Sequence, residues 1–368
     1  MKSPAALAFV AASFASIVLG PEASRAQSTS DWDPRAAAAY LDGRLDWWLT
    51  WPNAARDQGT ACVSCHTALP YLLARPTLRR ALAESSRPEA ERLMLASVTK
   101  RVRLWRDVEP FYPDQTRGLP KTSESRGTEA VLNALILATR DAEVGSLSED
   151  GRMAFENLWV LQMKVGPSAG GWTWLNFGLE PWEAAGSPYF GASLAGIAVG
   201  TAPEGYAASP DIQSQVALLR DYLRSGAESE SLFNRLMILW ASAVLPDLLE
   251  DRQRASIIDA ATAAQGADGG WSMEALGPWQ PAESLPGDRG SDGYATAVAI
   301  LALREAGVSP GTPVLAKGRA WLVANQGEAT GAWPASSLNR VHDAASDRAK
   351  FMSDAATAYA VLALVRDG

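Results

Sequence analysis

Two cysteines and two histidines are all that 368 residues contain. So few thiols exclude a scaffold held by several disulfides, and so few ligands argue against a zinc module. Charge is scarce as well. Asp, Glu, Lys and Arg make up 20% of the chain, and the net charge is −8 at pH 7. That acidic balance argues against nucleic acid and anionic membrane surfaces as partners. No internal stretch reaches about 18 uninterrupted apolar residues, so no membrane span is expected in the mature chain. Strand signals are thin, because no Asn-Gly or Asp-Gly turn joins alternating runs. What the chain does have is apolar content of 47% and fourteen tryptophans. Ala and Leu dominate, which suits a helical fold with an ample core.

The N-terminus sets an expected compartment. Lys2 precedes the apolar run ALAFVAASFASIVLG (6–20), and a small-x-small pattern follows at Ser24-Arg25-Ala26. This is the layout of a secretory signal peptide over 1–26, cut near Ala26, with an uncleaved anchor as the alternative. The mature protein is then expected in the periplasm or otherwise exported, and 27–368 is expected to form one domain.

Both cysteines fall in ACVSCHTALP (61–70). Cys62 and Cys65 lie three apart, and His66 follows at once. That is the attachment signature of one haem c. Thiols about one helical turn apart can reach the two vinyl groups on one edge of the macrocycle, and His66 would be the proximal iron ligand. A redox-active dithiol and a zinc site are the competing readings. Trp47, Trp48 and Trp51 just upstream could wall a flat cofactor, or simply pack. Met94 sits on what reads as the apolar face of a helix. The haem is therefore placed in the N-terminal part of a larger domain, within 27–120, and not in a separate cytochrome module.

The rest repeats. Gln162 precedes Gly170-Gly171-Trp172, Gln265 precedes GADGGW ending at Trp271, and KGRAWLVANQGEATGAW spans 317–333. After each comes an apolar helix: 187–200, 291–307 and 353–368. Helical stretches at 128–142 and 231–245 join the rhythm, and a degenerate unit is expected around 216–226. Units of roughly 50–60 residues, repeated five or six times, cannot bury their faces alone and must stack.

Over about 125–368 the chain resembles the squalene–hopene cyclase and prenyltransferase superfamily. The resemblance implies an all-α fold, the α/α toroid of inner and outer helices. It implies structural clamps at Gln162, Trp172, Gln265, Trp271, Gln326 and Trp333, and a greasy cavity. It does not carry over the reaction. The Asp-x-Asp-Asp acid of the cyclases does not occur in this sequence, and SDGYAT (291–296) and SDAATA (353–358) hold one Asp each. Both cysteines are committed elsewhere, which puts the zinc site of the prenyltransferases in doubt too.

Ring closure should bring the last repeat beside the first. His342 or Met352 is then the candidate distal ligand of the haem. Trp174, Phe177, Trp182 and Tyr189 are candidate cavity aromatics, and Glu183 would place one carboxylate among them. Nothing in the sequence marks a carboxylate pair for glycoside cleavage. The leading expectation is a redox function: electron transfer to a partner protein, or haem-dependent oxidation of an apolar small molecule. The alternative is a non-catalytic binding protein for a terpenoid or lipid-like ligand, with haem as sensor or structural element.

Overall fold

A computed structural model describes Met1, residues 32–280, Leu285 and residues 289–365. Apart from Met1, the expected leader lies outside the described residues. Among the described residues from Trp32 onward there are fourteen α-helices. They are α1 (Pro34–Thr50), α2 (Ala68–Ala81), α3 (Glu89–Arg103), α4 (Asp114–Arg117), α5 (Lys121–Ala142), α6 (Glu149–Leu161) and α7 (Ser187–Thr201). There follow α8 (Gln213–Gly226), α9 (Leu232–Val244), α10 (Asp251–Ala263), α11 (Met273–Leu276), α12 (Gly293–Glu305), α13 (Pro313–Ala324) and α14 (Phe351–Leu364). The described strands are two-residue pieces, β1 (Ala55–Arg56) and β2 (Thr60–Ala61), paired antiparallel.

The long helices form two concentric rings. In the inner ring α2, α5, α7, α9, α12 and α14 pack side by side, and α14 returns to α2. The outer helices α1, α3, α6, α8, α10 and α13 pack on its outside. This is the expected α/α toroid. Sequence decides which ring a helix joins. The inner helix α7, SPYFGASLAGIAVGT, is apolar all round and buried on nearly every side. The outer helix α8 buries only Val216, Leu219 and Leu223, a stripe at helical spacing, and turns its charged face outward. The ends are signalled too. Asp33 caps α1, its carboxylate accepting from the Arg35 and Ala36 amides. Ser148 caps α6 and Asp292 caps α12 in the same way.

The Gln and Gly-x-Trp segments join outer helices to each other. At the end of α6, Gln162 Nε2 donates to Gly170 O in its own loop and to Gln215 O of the next outer helix, α8. Gln265 does the same with Gly269 O and Val314 O of α13. Gln326 binds Gly331 O and Asp33 O, the cap of α1, and so closes the ring between its last and first outer helices. Each tryptophan anchors its loop on the outer helix before it: Trp172 Nε1 on Leu158 O, Trp271 on Ala261 O and Trp333 on Leu322 O. All three rings are fully buried.

Aromatic side chains of the inner helices pack against one another. Tyr294 packs edge-on against Tyr359 and Trp182, and Phe233 stacks on Phe190.

Candidate functional site

An α/α toroid brings the loops from outer to inner helix together at one end, where the inner helices begin. Four of these loops build the candidate site: 51–67, 104–120, 162–186 and 325–350. They enclose two adjoining hollows. One is an open groove of about 810 Å³ walled by Trp48, Trp51, Phe111, Tyr112 and Phe177. The other is a smaller cavity of about 240 Å³ bordered by Cys65, His66, Trp182, His342, Phe351 and Met352. Leu179, Glu183 and Arg348 face both. A third hollow of about 530 Å³ includes His342, but no Asp or Glu among the described residues lines it.

Glu183 is held from several sides. Its backbone exchanges two hydrogen bonds with Leu179, and its carbonyl also accepts from the Phe177 amide. Asn339 staples the neighbouring Glu180: its amide donates to Glu180 O, and its Oδ1 accepts from Glu180 N, both at 2.8 Å. Trp182 Nε1 donates to Tyr294 Oη at 2.9 Å, which ties the loop to α12. The carboxyl lies deep in the fold, yet keeps part of its surface open to the hollows. Burial pushes it up to about 7, although Arg56 and Lys121 pull the other way. Asp57 lines the same groove and is moved the opposite way. Hydrogen bonds from the Glu109 and Gln58 amides hold it below the usual carboxylate range.

His66 borders the same smaller cavity, in a box of rings. Phe351 stacks on its face at 3.8 Å between centroids, and Trp48 meets it edge-on at 5.1 Å. The Thr67 hydroxyl donates to Asp354 Oδ2 at 2.6 Å, so its oxygen accepts from His66 Nδ1–H at 2.8 Å. This fixes the tautomer and leaves the lone pair on Nε2. Burial, helped by Arg44, pushes His66 down to about 3, so the ring is neutral at pH 7. Asp354 also accepts from Tyr40 Oη and Arg44 Nε, which locks α14 to α1 beneath the site.

The sequence-predicted residues fall into three groups. Cys65, His66, Trp182, Glu183, His342 and Met352 share the smaller cavity, and Met352 sits on the first turn of α14 rather than in a loop. Trp48, Trp51 and Phe177 line the groove, while Trp47 stacks on Trp51 at 5.2 Å. Trp174 and Tyr189 do not line either hollow. Trp174 is buried against Gly191 with Nε1 bound to Trp182 O, and Tyr189 donates to Leu223 O beside Gly226. Both are core, because their polar atoms find backbone partners inside. Sequence reasoning missed Arg56, Asp57, Tyr112 and Arg348. Only fold closure brings these four, from three different loops, into one groove.

The face of His66 is covered by Phe351, and Cys62 and Cys65 are buried in the core. Burial pushes Cys62 up to about 11 and Cys65 well above its ordinary value, so both are held as thiols. A reactive dithiol would need the opposite shift. Among the described residues no group of three or more His, Cys, Asp or Glu could hold a metal ion. None of the described helices is long and apolar enough to cross a membrane.

Comparison with protein-family models gives no match, and comparison with curated proteins gives none either. Among solved structures the chain is similar to a glycosidase, at 12% identity and a TM-score of 0.52, over 90% of this chain and 96% of that one. At that identity the likeness is one of fold. The expected mono-haem redox function is therefore corrected: the shared fold is a glycosidase's, and among the described residues no group of three or more His, Cys, Asp or Glu could hold a metal ion. The alternative of a terpenoid or lipid-like binding protein finds no support in that likeness either. The all-helical α/α toroid stands.

Proposed function

We propose that this chain is a glycoside-processing enzyme with Glu183 as its proton donor. One observation carries the reading: a carboxyl pushed up to about 7 sits in an aromatic-walled cavity at the loop end of a toroid. Glycoside cleavage needs one carboxyl that is protonated near neutral pH and a second that stays ionised. Glu183 supplies the first, and Asp57, held low by two amides, lines the same groove. Trp48, Trp51, Tyr112 and Phe177 give the groove an aromatic lining. The glycosidase of similar fold supports the same class.

In this reading the Glu183 proton passes to the departing glycosidic oxygen as the C–O bond breaks. Asp57 takes a proton from the water whose oxygen bonds the anomeric carbon. Solvent then returns a proton to Glu183 and removes the one on Asp57. A pairing of sugar-leaving and nitrophenyl-leaving glycosides tests this. Glu183→Gln should lose about 10²–10⁴-fold in rate on the first. It should lose little on the second, because nitrophenolate departs without a proton. Equal loss on both, or a wild type that cleaves no glycoside, overturns the reading.

The repeat belongs to the same proposal. Three Gln and Gly-x-Trp clamps support kinship with the squalene–hopene cyclase superfamily in architecture. The leader pattern of residues 1–26 supports export, and N-terminal sequencing of protein recovered from a bacterial periplasm should begin at Gln27.

A further inference from the structure

We infer that the groove selects an acidic saccharide, one bearing carboxylate or sulfate groups, through Arg56, Arg117 and Arg348. The inference deepens the glycoside reading and rests on it. All three arginines line the groove. None of them forms an ion pair with an acid among the described residues, whereas the buried arginines of the core do. Arg44 is paired with Asp354, Arg75 with Asp42, Arg79 with Glu91 and Arg101 with Glu129.

The three guanidiniums are also pre-positioned. Arg56 lies 4.7 Å from the centroid of Tyr112, Arg117 lies 5.6 Å from the same ring, and Arg348 lies 5.9 Å from Trp51. Stacking on an aromatic face spends none of the N–H donors, so the planar fork stays available for a carboxylate or sulfate. Arg56 is further braced by Nη1 bonds to Asn53 O and Ala55 O, and its buried Nε has no partner. Three acids share the groove. The Asp57 carboxylate is engaged by two amides, Glu109 is exposed, and Glu183 carries the proton in the proposed reaction. With Glu183 protonated, three arginines face two acids, Asp57 and Glu109, a local excess of positive charge on a chain whose net charge is −8. A neutral glycan would leave the cations unused.

Direct binding tests this without turnover. The Glu183→Gln full-length protein is titrated by calorimetry with a uronate oligosaccharide, a sulfated one, a neutral one of matched length, and inorganic sulfate alone. The acidic oligosaccharides should bind about tenfold or more tighter than the neutral one, with affinity falling as salt rises. Arg117 and Arg348 are both exposed, so Arg117→Gln and Arg348→Gln should leave the fold intact. Each should weaken the acidic ligand about fivefold or more while the neutral affinity stays unchanged. If neutral and acidic oligosaccharides bind equally, the acidic-saccharide inference fails and the glycoside reading survives. If inorganic sulfate competes as strongly as the saccharides bind, the groove is a plain anion site and the inference also fails. If no saccharide binds, both readings fail together.

Discussion

At the scale of the residue, Glu183 shows how position changes chemistry. Its neighbours in sequence, Trp182 and Pro181, announce an apolar setting, and that much is legible. The size of the effect is not, because burial comes from loops far away in the chain. A general acid must be protonated to act. With Glu183 pushed up to about 7, kcat/KM should be full below that pH and fall as pH rises through it. A pH–rate profile checks this. In Glu183→Gln the basic limb near 7 should vanish, and a limb that persists would assign the titration to another group. Cys62 tests burial in the other direction. A thiol pushed from 9.0 up to about 11 holds roughly a hundredfold less thiolate at a given pH. A disulfide reagent at pH 8 should therefore label the native protein far more slowly than the protein in guanidinium chloride. Equal rates would refute the buried-thiol account.

At the scale of the element, the clamps explain why certain positions are glycine. Gly331 has φ +73°, and a Cβ there would lie 2.4 Å from Ala36 O at the start of α1. Gly170 has φ +98°, with Leu218 O of α8 at 2.1 Å. In both loops only glycine lets the clamp reach the next outer helix. Gly331→Ala should cost about 1–3 kcal/mol from backbone strain, with the clash added to that. Gly43 is the contrasting case: it lies exposed inside α1 with open space where a Cβ would go. Gly43→Ala should stabilise by about 0.5–1 kcal/mol, since it removes helix-interior glycine without a clash. Chemical denaturation of the two variants gives opposite signs on this account. The same sign for both would mean that the loop geometry is not what the clamp requires. The pattern of Gln, Gly and Trp was readable in the sequence, because it repeats. Which helix each Gln would grip was not, because the partner lies some 50 residues on, or at the far end of the chain.

At the scale of the whole molecule, the ring closes through polar contacts as well as packing. Arg44 on α1 binds Asp354 on α14 at 2.7 Å, with side chains 7% and 1% exposed. Arg103 pairs with Asp150 at 2.6 Å but is 63% exposed itself. Removing one partner of a buried pair strands the other charge, so Arg44→Met should cost about 3–5 kcal/mol. Arg103→Met should cost about 0–1 kcal/mol, because solvent screens the exposed pair. Thermal unfolding of both, followed by tryptophan fluorescence and far-UV circular dichroism, checks the contrast. Similar losses would mean that the closing contact is not coupled to the fold. Arg44→Met should also loosen His66, whose tautomer depends on Thr67 and Asp354.

What the sequence determined by itself was periodic and local. Apolar helices, their caps and the Gln and Gly-x-Trp loops specify an α/α toroid, because each unit carries its own helical stripe and its own clamp. The three-residue Cys spacing and the histidine after it were equally plain as a pattern. The pattern alone could not say what those side chains would meet. That was decided when α14 closed on α1 and α2. Closure set Phe351 on the face of His66, buried both thiols, and raised Glu183 between the groove and the cavity. Burial and desolvation depend on residues hundreds of positions apart, so the chemistry of this site belongs to the tertiary structure.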